Sequence, residues 1–253
     1  MASRRSKQFF YGIFYLAILA IIIYGIYLIF KPAPSCFDNI QNEGETGVDC
    51  GGPCAPCTFN LTPLQVVGQV KILPVDGNHV SLLAQIQNSN QGFGVASFDY
   101  QFSIYDQDDN FIASSSGNSY IYPGQLKYVS IPLVAVSNIG SIGRASLTIG
   151  KYNWQTADNF RILSSQIQGQ QVATTTDGVK VFGYLYNGSS FTIPSAELVA
   201  IFYSQSGLVA GVSKTEISNI ASLQSFPFTI NHPPINYLNN QATQVLIYIP
   251  PSQ

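Results

Sequence analysis

Two runs decide the fold: VSLLAQIQN at 80–88 and VKVFGYLYN at 179–187. In an extended chain alternate side chains share a face. Val80, Leu82, Ala84 and Ile86 therefore line one side of the first run, and Val179, Val181, Gly183 and Leu185 one side of the second. Each follows an Asp-Gly turn signal, Asp76-Gly77 and Asp177-Gly178. A second pair lies downstream in the same order, FDYQFSIYD at 98–106 and AELVAIFYS at 196–204. Phe98, Tyr100, Phe102 and Ile104 answer there to Ala196, Leu198, Ala200 and Phe202. Both runs meet polar turn residues, Gln107 to Asn110 and Gln205 to Gly207, and resume at Phe111-Ile112 and Leu208-Val209, so each reads as a hairpin. A third pair sets Ala145, Leu147 and Ile149 against Thr243, Val245 and Ile247. Three matched strands at an offset of 98–99 residues form an internal repeat. No long 3.6-residue periodicity interrupts this texture, and about seven short strands in ~95 residues suit a β-sandwich.

The reading is thus a mainly β protein with two tandem immunoglobulin-like β-sandwiches, at residues 59–157 and 158–253. The boundary falls near Gln155 to Asn159, after Trp154, and so short a link predicts stacked rather than freely tethered sandwiches. The first copy carries Phe102-Ser103-Ile104-Tyr105-Asp106 and, downstream, Pro123-Gly124. In these residues it resembles the FxLYD family of small sandwiches on prokaryotic surface and lipid-anchored proteins, with Ile in place of Leu. The second copy keeps only the tyrosine of Ala200-Ile201-Phe202-Tyr203-Ser204, and Ala221-Ser222 stands where Pro-Gly is expected. The resemblance implies an extracellular accessory or binding module with no catalytic residues to transfer.

Upstream of the repeats, residues 9–30 (FFYGIFYLAILAIIIYGIYLIF) hold no ionisable side chain other than tyrosine. As a helix this run spans roughly 33 Å, enough for a hydrocarbon core of about 30 Å. Helix is required there because each backbone amide must find its partner internally. Tyr11, Tyr15, Tyr24 and Tyr27 lie towards the two ends, as interfacial anchors do. Arg4, Arg5 and Lys7 precede the run and only Lys31 follows closely, a bias that keeps residues 1–8 cytoplasmic and sends the rest outside the plasma membrane. The apolar core is too long for a cleaved signal peptide, so it reads as a retained signal anchor.

All four cysteines, Cys36, Cys50, Cys54 and Cys57, fall in the segment 31–58 with the spacing C-x13-C-x3-C-x2-C. Beyond a membrane, an even and clustered set reads as two disulfides with three possible connectivities. A four-thiolate zinc site is the competing reading. Between Cys36 and Cys57, Asp38, Glu43, Glu45 and Asp49 crowd together with no Lys or Arg, and Asn39 and Asn42 add amide oxygens. Hard oxygen donors at that density suit Ca²⁺, with Asp38, Asn42, Glu43, Glu45 and Asp49 as ligands; acids pointing into water, with Gly44, Gly47, Gly51 and Gly52 making turns, are the plainer alternative. The stretch CFDNIQNEGETGVDCGGPCAPC resembles a cysteine-rich motif of bacterial surface and secreted proteins, C-x-D-G-I-x-N-x-x-E-T-G-V-D-C-G-G-x-C-x-x-C. It departs from that motif at Asn39, where glycine is usual; asparagine is the next most tolerant of left-handed backbone, so the turn is expected to survive. The resemblance implies an exported, disulfide-bonded linker or cap and not an enzyme.

Composition narrows the function classes. Charged residues are 9% of the 253, the net charge is −2, and the basic residues after the anchor are scattered from Lys71 to Lys214, which excludes a nucleic-acid stripe. With 46% hydrophobic residues, 16 Phe and 15 Tyr, disorder by charge is excluded too. His79 follows an Asp-Gly turn and His232 precedes Pro233-Pro234; both read as loop residues, outside any nucleophile motif. Asp106, Asp108, Asp109 and Asn110 lack the glycine and distal glutamate of an EF-hand and read as a hairpin turn. No catalytic residue is expected. One binding feature stands out: Phe182, Tyr184 and Tyr186 share the face opposite Val181 and Leu185, and Val199, Ile201 and Tyr203 do the same on a matched strand. These faces either pack against the other sandwich or sheet, or form an aromatic patch for a partner or glycan. The expectation is a non-enzymatic, single-pass surface protein without a required cofactor, offering two sandwiches to a protein or envelope partner. The alternative is an accessory subunit of a membrane secretion or envelope-assembly complex.

Overall fold

A computed structural model describes residues 4–30, 35–42, 44–45, 47–48, 50, 52–54 and 60–251. The chain divides into two compact units, Met1–Asn60 and Leu61–Gln253. In the first, helix α1 runs from Arg4–Phe30. Its stretch Phe10–Tyr27 has a mean hydropathy of 2.1, lies open on every side, and is long and apolar enough to cross a membrane. Beyond it a small loop module is closed by a disulfide between Cys36 and Cys54, with Cα atoms 5.6 Å apart. Asn39 adopts φ 58°, the left-handed turn expected of the residue that replaces glycine.

The second unit contains the repeat. Its first copy has β1 (Gln65–Pro74), β2 (His79–Gln87), β3 (Phe93–Asp106), β4 (Phe111–Ile121), β5 (Leu126–Ala135) and β6 (Ile142–Ile149). A two-residue strand, β7 (Gln155–Thr156), pairs with the start of β3. The second copy has β8 (Ser165–Thr175), β9 (Gly178–Asn187), β10 (Ile193–Tyr203), β11 (Val209–Ile220), β12 (Ser225–His232) and β13 (Gln244–Tyr248). The sheets are β1-β2-β5 and β4-β3-β6 in the first copy, and β8-β9-β12 and β11-β10-β13 in the second, all antiparallel. The topology repeats strand for strand. Each copy has six main strands rather than seven, because one tight turn (Tyr122 to Gln125 in the first) carries the chain straight from one sheet to the other.

Alternation builds each core. Val80, Leu82, Ala84 and Ile86 of β2 meet Phe98, Tyr100, Phe102 and Ile104 of β3 in the first sandwich. Val179, Val181 and Leu185 meet Ala196, Leu198, Ala200 and Phe202 in the second. A third apolar layer joins the two sandwiches: Leu73 and Leu83 from the outer face of β1-β2-β5 against Val199, Ile201, Val212 and Tyr248 from the outer face of β11-β10-β13. The unit is therefore a stack of four sheets in the order β4-β3-β6, β1-β2-β5, β11-β10-β13, β8-β9-β12. Neighbouring layers in such a stack lie about 10 Å apart. Strand β10 is buried on both faces, and residues 198–202 are buried without interruption.

Two asparagines, missed as structural signals, end the matched runs that revealed the repeat. Asn88 and Asn187 are both fully buried. The Asn88 amide donates to the carbonyls of Phe93 and Tyr122 while its oxygen accepts from Asn90 N–H. Asn187 donates to Phe191, Ile220 and Ala221 and accepts from Ser189. Each side chain thus donates to carbonyls of the two crossovers between sheets and ties those crossovers together. Backbone bonds from Asn88 N–H to Gln125 O and from Asn187 N–H to Gln224 O align the following turns. This alignment corrects the sequence pairing by one residue: Leu223, and not Ser222, corresponds to Gly124. Gly124 has φ 65° and Leu223 φ 56°, so the second copy forces an exposed leucine into left-handed backbone. The β8–β9 turn shifts similarly, since Thr175 pairs with Gly178 and leaves Thr176-Asp177 at the tip.

Replacing Asn187 by alanine strips several hydrogen bonds from buried carbonyls and is expected to lower unfolding free energy by about 2–4 kcal/mol. Leu223→Gly relieves the left-handed strain and should raise it by about 1 kcal/mol. Denaturant titration of the two variants checks both signs.

Candidate functional site

The seam between the sandwiches holds the most unusual chemistry of the described residues. On β5, Lys127 stands opposite Ile86; in the second copy the same position, opposite Leu185, is Phe226. A lysine thus occupies a place the fold reserves for an apolar side chain. It is 1% exposed. Its Nζ lies 3.2 Å from the ring centroid of Tyr120 on β4 and 4.8 Å from that of Tyr248 on β13. Nζ has no hydrogen-bond partner among the described residues. The Tyr248 hydroxyl in turn accepts from the backbone N–H of Tyr128 at 3.0 Å, a polar tie between the copies. A cleft of about 540 Å³ opens beside this group, lined by Tyr120, Tyr248, Glu197, Lys214, Glu216 and Ser195 among others. Across it Lys214 Nζ meets Glu197 Oε1 at 2.7 Å, and Ser195 donates to Glu216.

Burial pushes the Lys127 ammonium down to about 7; Glu197 opposes that shift and Lys214 adds to it. The electron-rich ring faces also favour the charged form, by up to about 2 kcal/mol when desolvated. Burial holds the Tyr120 phenol far above its ordinary value and Tyr248 at about 12, so both rings face Lys127 as neutral phenols at any physiological pH.

The residues singled out from sequence separate into different places. Phe182, Tyr184 and Tyr186 share the outer face of β8-β9-β12, with Tyr184 52% exposed and the other two partly buried. A groove of about 450 Å³ beside them is lined by Gly169, Lys180, Phe182, Tyr184, Pro227 and Thr229, among others. Val199 and Ile201 are sealed in the seam, with Tyr203 packed against it. The two sets belong to different sheets, so one face is covered and the other is open.

In the cysteine module, Cys36 and Cys54 are joined and Cys50 is also disulfide-bonded. Cys57, Glu43 and Asp49 lie outside the described residues. Asp38 accepts from the Asn42 side chain and from the N–H groups of Ser35 and Ile40. Those bonds, the Asn42 amide first, hold its carboxyl below the usual range. Glu45 accepts from Asn42 N–H. Asp38 and Glu45 thus accept from the loop's own donors, while the Asn42 Oδ1 is buried with no hydrogen-bond partner among the described residues. Cys36, Glu45 and Cys54 bring one atom each within 4.8 Å of one another. The two sulfurs are spent on their mutual bond, so this trio offers no thiolate to zinc.

Neither histidine is a simple loop residue. His79 begins β2 and its Nδ1 meets Asp76 at 2.8 Å. His232 ends β12, is buried, and lies 4.9 Å from the Phe202 ring. Its Nδ1 bonds the Pro233 carbonyl, so Nδ1 carries the proton, and burial lowers its pKa. The tight turn read in Asp106 to Asn110 is present: Asp106 accepts from the N–H groups of Asp108 and Asn110.

No protein family matches the chain by sequence, and no curated protein does. Among solved structures, the crystal structure of red sea bream transglutaminase matches 72% of this chain and 31% of its own at 10% identity, with a TM-score of 0.19. The chain spans less than a third of that protein's length, and a likeness this remote carries no functional argument.

Because Lys127 sheds its proton near pH 7 when folded and near 10.5 when unfolded, the unfolded chain binds the extra proton between those values. Stability therefore rises with pH across that window, and the cost is fully present below it. Lys127→Met is expected to melt higher at pH 7, by roughly 2–4 °C for each kcal/mol of burial cost removed, and to lose most of the rise between pH 7 and 9.5. Calorimetry of both proteins across that range is the check.

Proposed function

We propose that the chain is a non-enzymatic, single-pass membrane protein that holds two sandwiches, stacked as one body, on the outer side of the membrane. The observation that carries the reading is the Cys36–Cys54 disulfide directly after an apolar helix. Structural disulfides persist in oxidising compartments, so the residues after α1 belong outside. The basic residues Arg4, Arg5 and Lys7 before the apolar run support the same orientation. The seam supports a spacer role, since burying Val199, Ile201 and Val212 against Leu73 and Leu83 fixes one copy on the other. We read the sandwiches as FxLYD-like, and the geometry supplies a reason for that motif: its aspartate, Asp106, closes the β3–β4 turn. The open face bearing Tyr184 is the surface offered to a protein or envelope partner.

Protease added to intact cells should digest the repeats and leave a fragment containing α1 in the membrane. Thiol labelling without reductant should find no reactive cysteine. Protection of the repeats, outside the cell or in a periplasm, until the plasma membrane itself is permeabilised, or ready labelling of Cys36 and Cys54, would overturn the orientation.

A further inference from the structure

Asparagine followed two positions later by serine or threonine is the acceptor motif of N-linked glycosylation, and it occurs twice here, at Asn60-Leu61-Thr62 and Asn187-Gly188-Ser189. The fold treats the two differently. Asn187 ends β9 and is fully buried. Its Nδ2 donates to the carbonyls of Phe191 at 2.8 Å, Ile220 at 2.9 Å and Ala221 at 3.2 Å, so both of its hydrogens are engaged. The Ser189 hydroxyl is turned inward as well, onto Asn187 Oδ1 and the Phe191 carbonyl. Neither half of that motif can reach an enzyme unless the crossovers open. Asn60 is the reverse case. Residues 60–64 belong to neither helix nor strand, and Asn60 and Thr62 are both exposed. Asn90 pins the Thr62 backbone: its Oδ1 accepts from Thr62 N–H at 3.0 Å and its Nδ2 donates to Thr62 O at 2.8 Å. Those bonds use main-chain groups only. Among the described residues no hydrogen bond engages the Asn60 side-chain amide or the Thr62 hydroxyl.

We infer that Asn60 is a glycosylation site, taking an oligosaccharide from a polyprenyl-phosphate-linked donor, and that burial withholds Asn187 from the same reaction. In the transfer, Nδ2 of Asn60 attacks the anomeric carbon of the first sugar. A nitrogen–carbon bond forms, the bond from that carbon to the phosphate oxygen breaks, and the lipid phosphate leaves with the electron pair. The amide gives up one proton and keeps one hydrogen. The donor and the transferring enzyme belong to the cell's membrane and not to this chain. The reaction needs an amide nitrogen free of other partners and, two residues on, a hydroxyl open to the enzyme. Asn60 and Thr62 meet both needs; Asn187 and Ser189 meet neither. A sugar on Asn187 would take one of the hydrogens that hold the crossovers together and would have to fit inside a close-packed turn. A chain so modified before folding could not close its second sandwich, so the folded molecule carries no glycan there. At Asn60 the added group is bulky and solubilising, on a chain in which charged residues are only 9%. The inference rests on the outward orientation proposed above, because the transfer takes place on the outer side of the plasma membrane or its lumenal equivalent.

The test has two arms. In the first, the folded full-length chain in detergent is incubated with a purified single-subunit oligosaccharyltransferase and its lipid-linked glycan, and proteolytic peptides are analysed by mass spectrometry. One glycan per chain is expected, on the peptide that contains Asn60. Asn60→Gln and Thr62→Ala should gain none while melting as the parent does, and Ser189→Ala should still gain one. A synthetic peptide spanning residues 184–192 should be glycosylated, since nothing buries its asparagine. A folded chain left bare at Asn60, a folded chain modified at Asn187, or a peptide refused by the enzyme each overturns the inference. In the second arm, the chain in the membranes of cells that glycosylate asparagine is examined for the Asn60 glycan and for access of added protease to the repeats. A glycan together with accessible repeats is expected. A bare Asn60 with accessible repeats overturns the inference and leaves the orientation standing. A bare Asn60 with repeats shielded by the plasma membrane sinks the orientation, and the inference with it.

Discussion

Strand β10 is closed on both sides, and the arrangement of the repeats depends on that constraint. One face, with Leu198, Ala200 and Phe202, completes the second core; the other, with Val199 and Ile201, completes the seam. Neither layer can form without the other sheet being in place. Burying an aliphatic side chain of this size contributes about 1.5–3 kcal/mol relative to leaving it in water. A seam built on Leu73, Leu83, Val199, Ile201 and Val212 therefore holds the two sandwiches in one orientation far more firmly than the short linker could.

Lys127 lies at the edge of that apolar layer and works against it. The ammonium is drawn to the faces of Tyr120 and Tyr248, yet it finds no hydrogen-bond acceptor among the described residues. Removing a charge from water costs more than two ring faces return, so the proton is held loosely. The neighbouring Tyr128–Tyr248 hydrogen bond is neutral and carries no such tension. Polar contacts at the seam thus divide into one that secures it at any pH and one whose contribution changes with protonation.

Much of this was legible in the chain. The alternation in β2 and β9 named the core residues correctly, the hairpins fell where the polar runs put them, and the matched order of strands became a matched topology. The seam itself also left a mark. In Phe98 to Ile104 polar residues alternate with apolar ones, as in a strand with one wet face; Leu198 to Phe202 is apolar throughout, the pattern of a strand dry on both faces. Lys127 was not legible, because a lone lysine in a β-run ordinarily points into water, and only the tyrosines arriving from β4 and β13 make it buried. Asn88 and Asn187 closed both matched runs, but one asparagine after a strand looks like any turn residue until its crossover carbonyls are seen around it. His232 was placed in a loop by the prolines that follow, although β12 extends through it and packs its ring on Phe202.

The seam also dictates how the molecule must be made. A second sandwich cut away from the first would offer Val199, Ile201, Val212 and Leu246 to water as a contiguous greasy sheet, the kind of surface that recruits other unfinished chains. The first sandwich leaves the ribosome earlier and must wait with Leu73 and Leu83 bare until β10 arrives. Neither half of the pair is therefore a portable module.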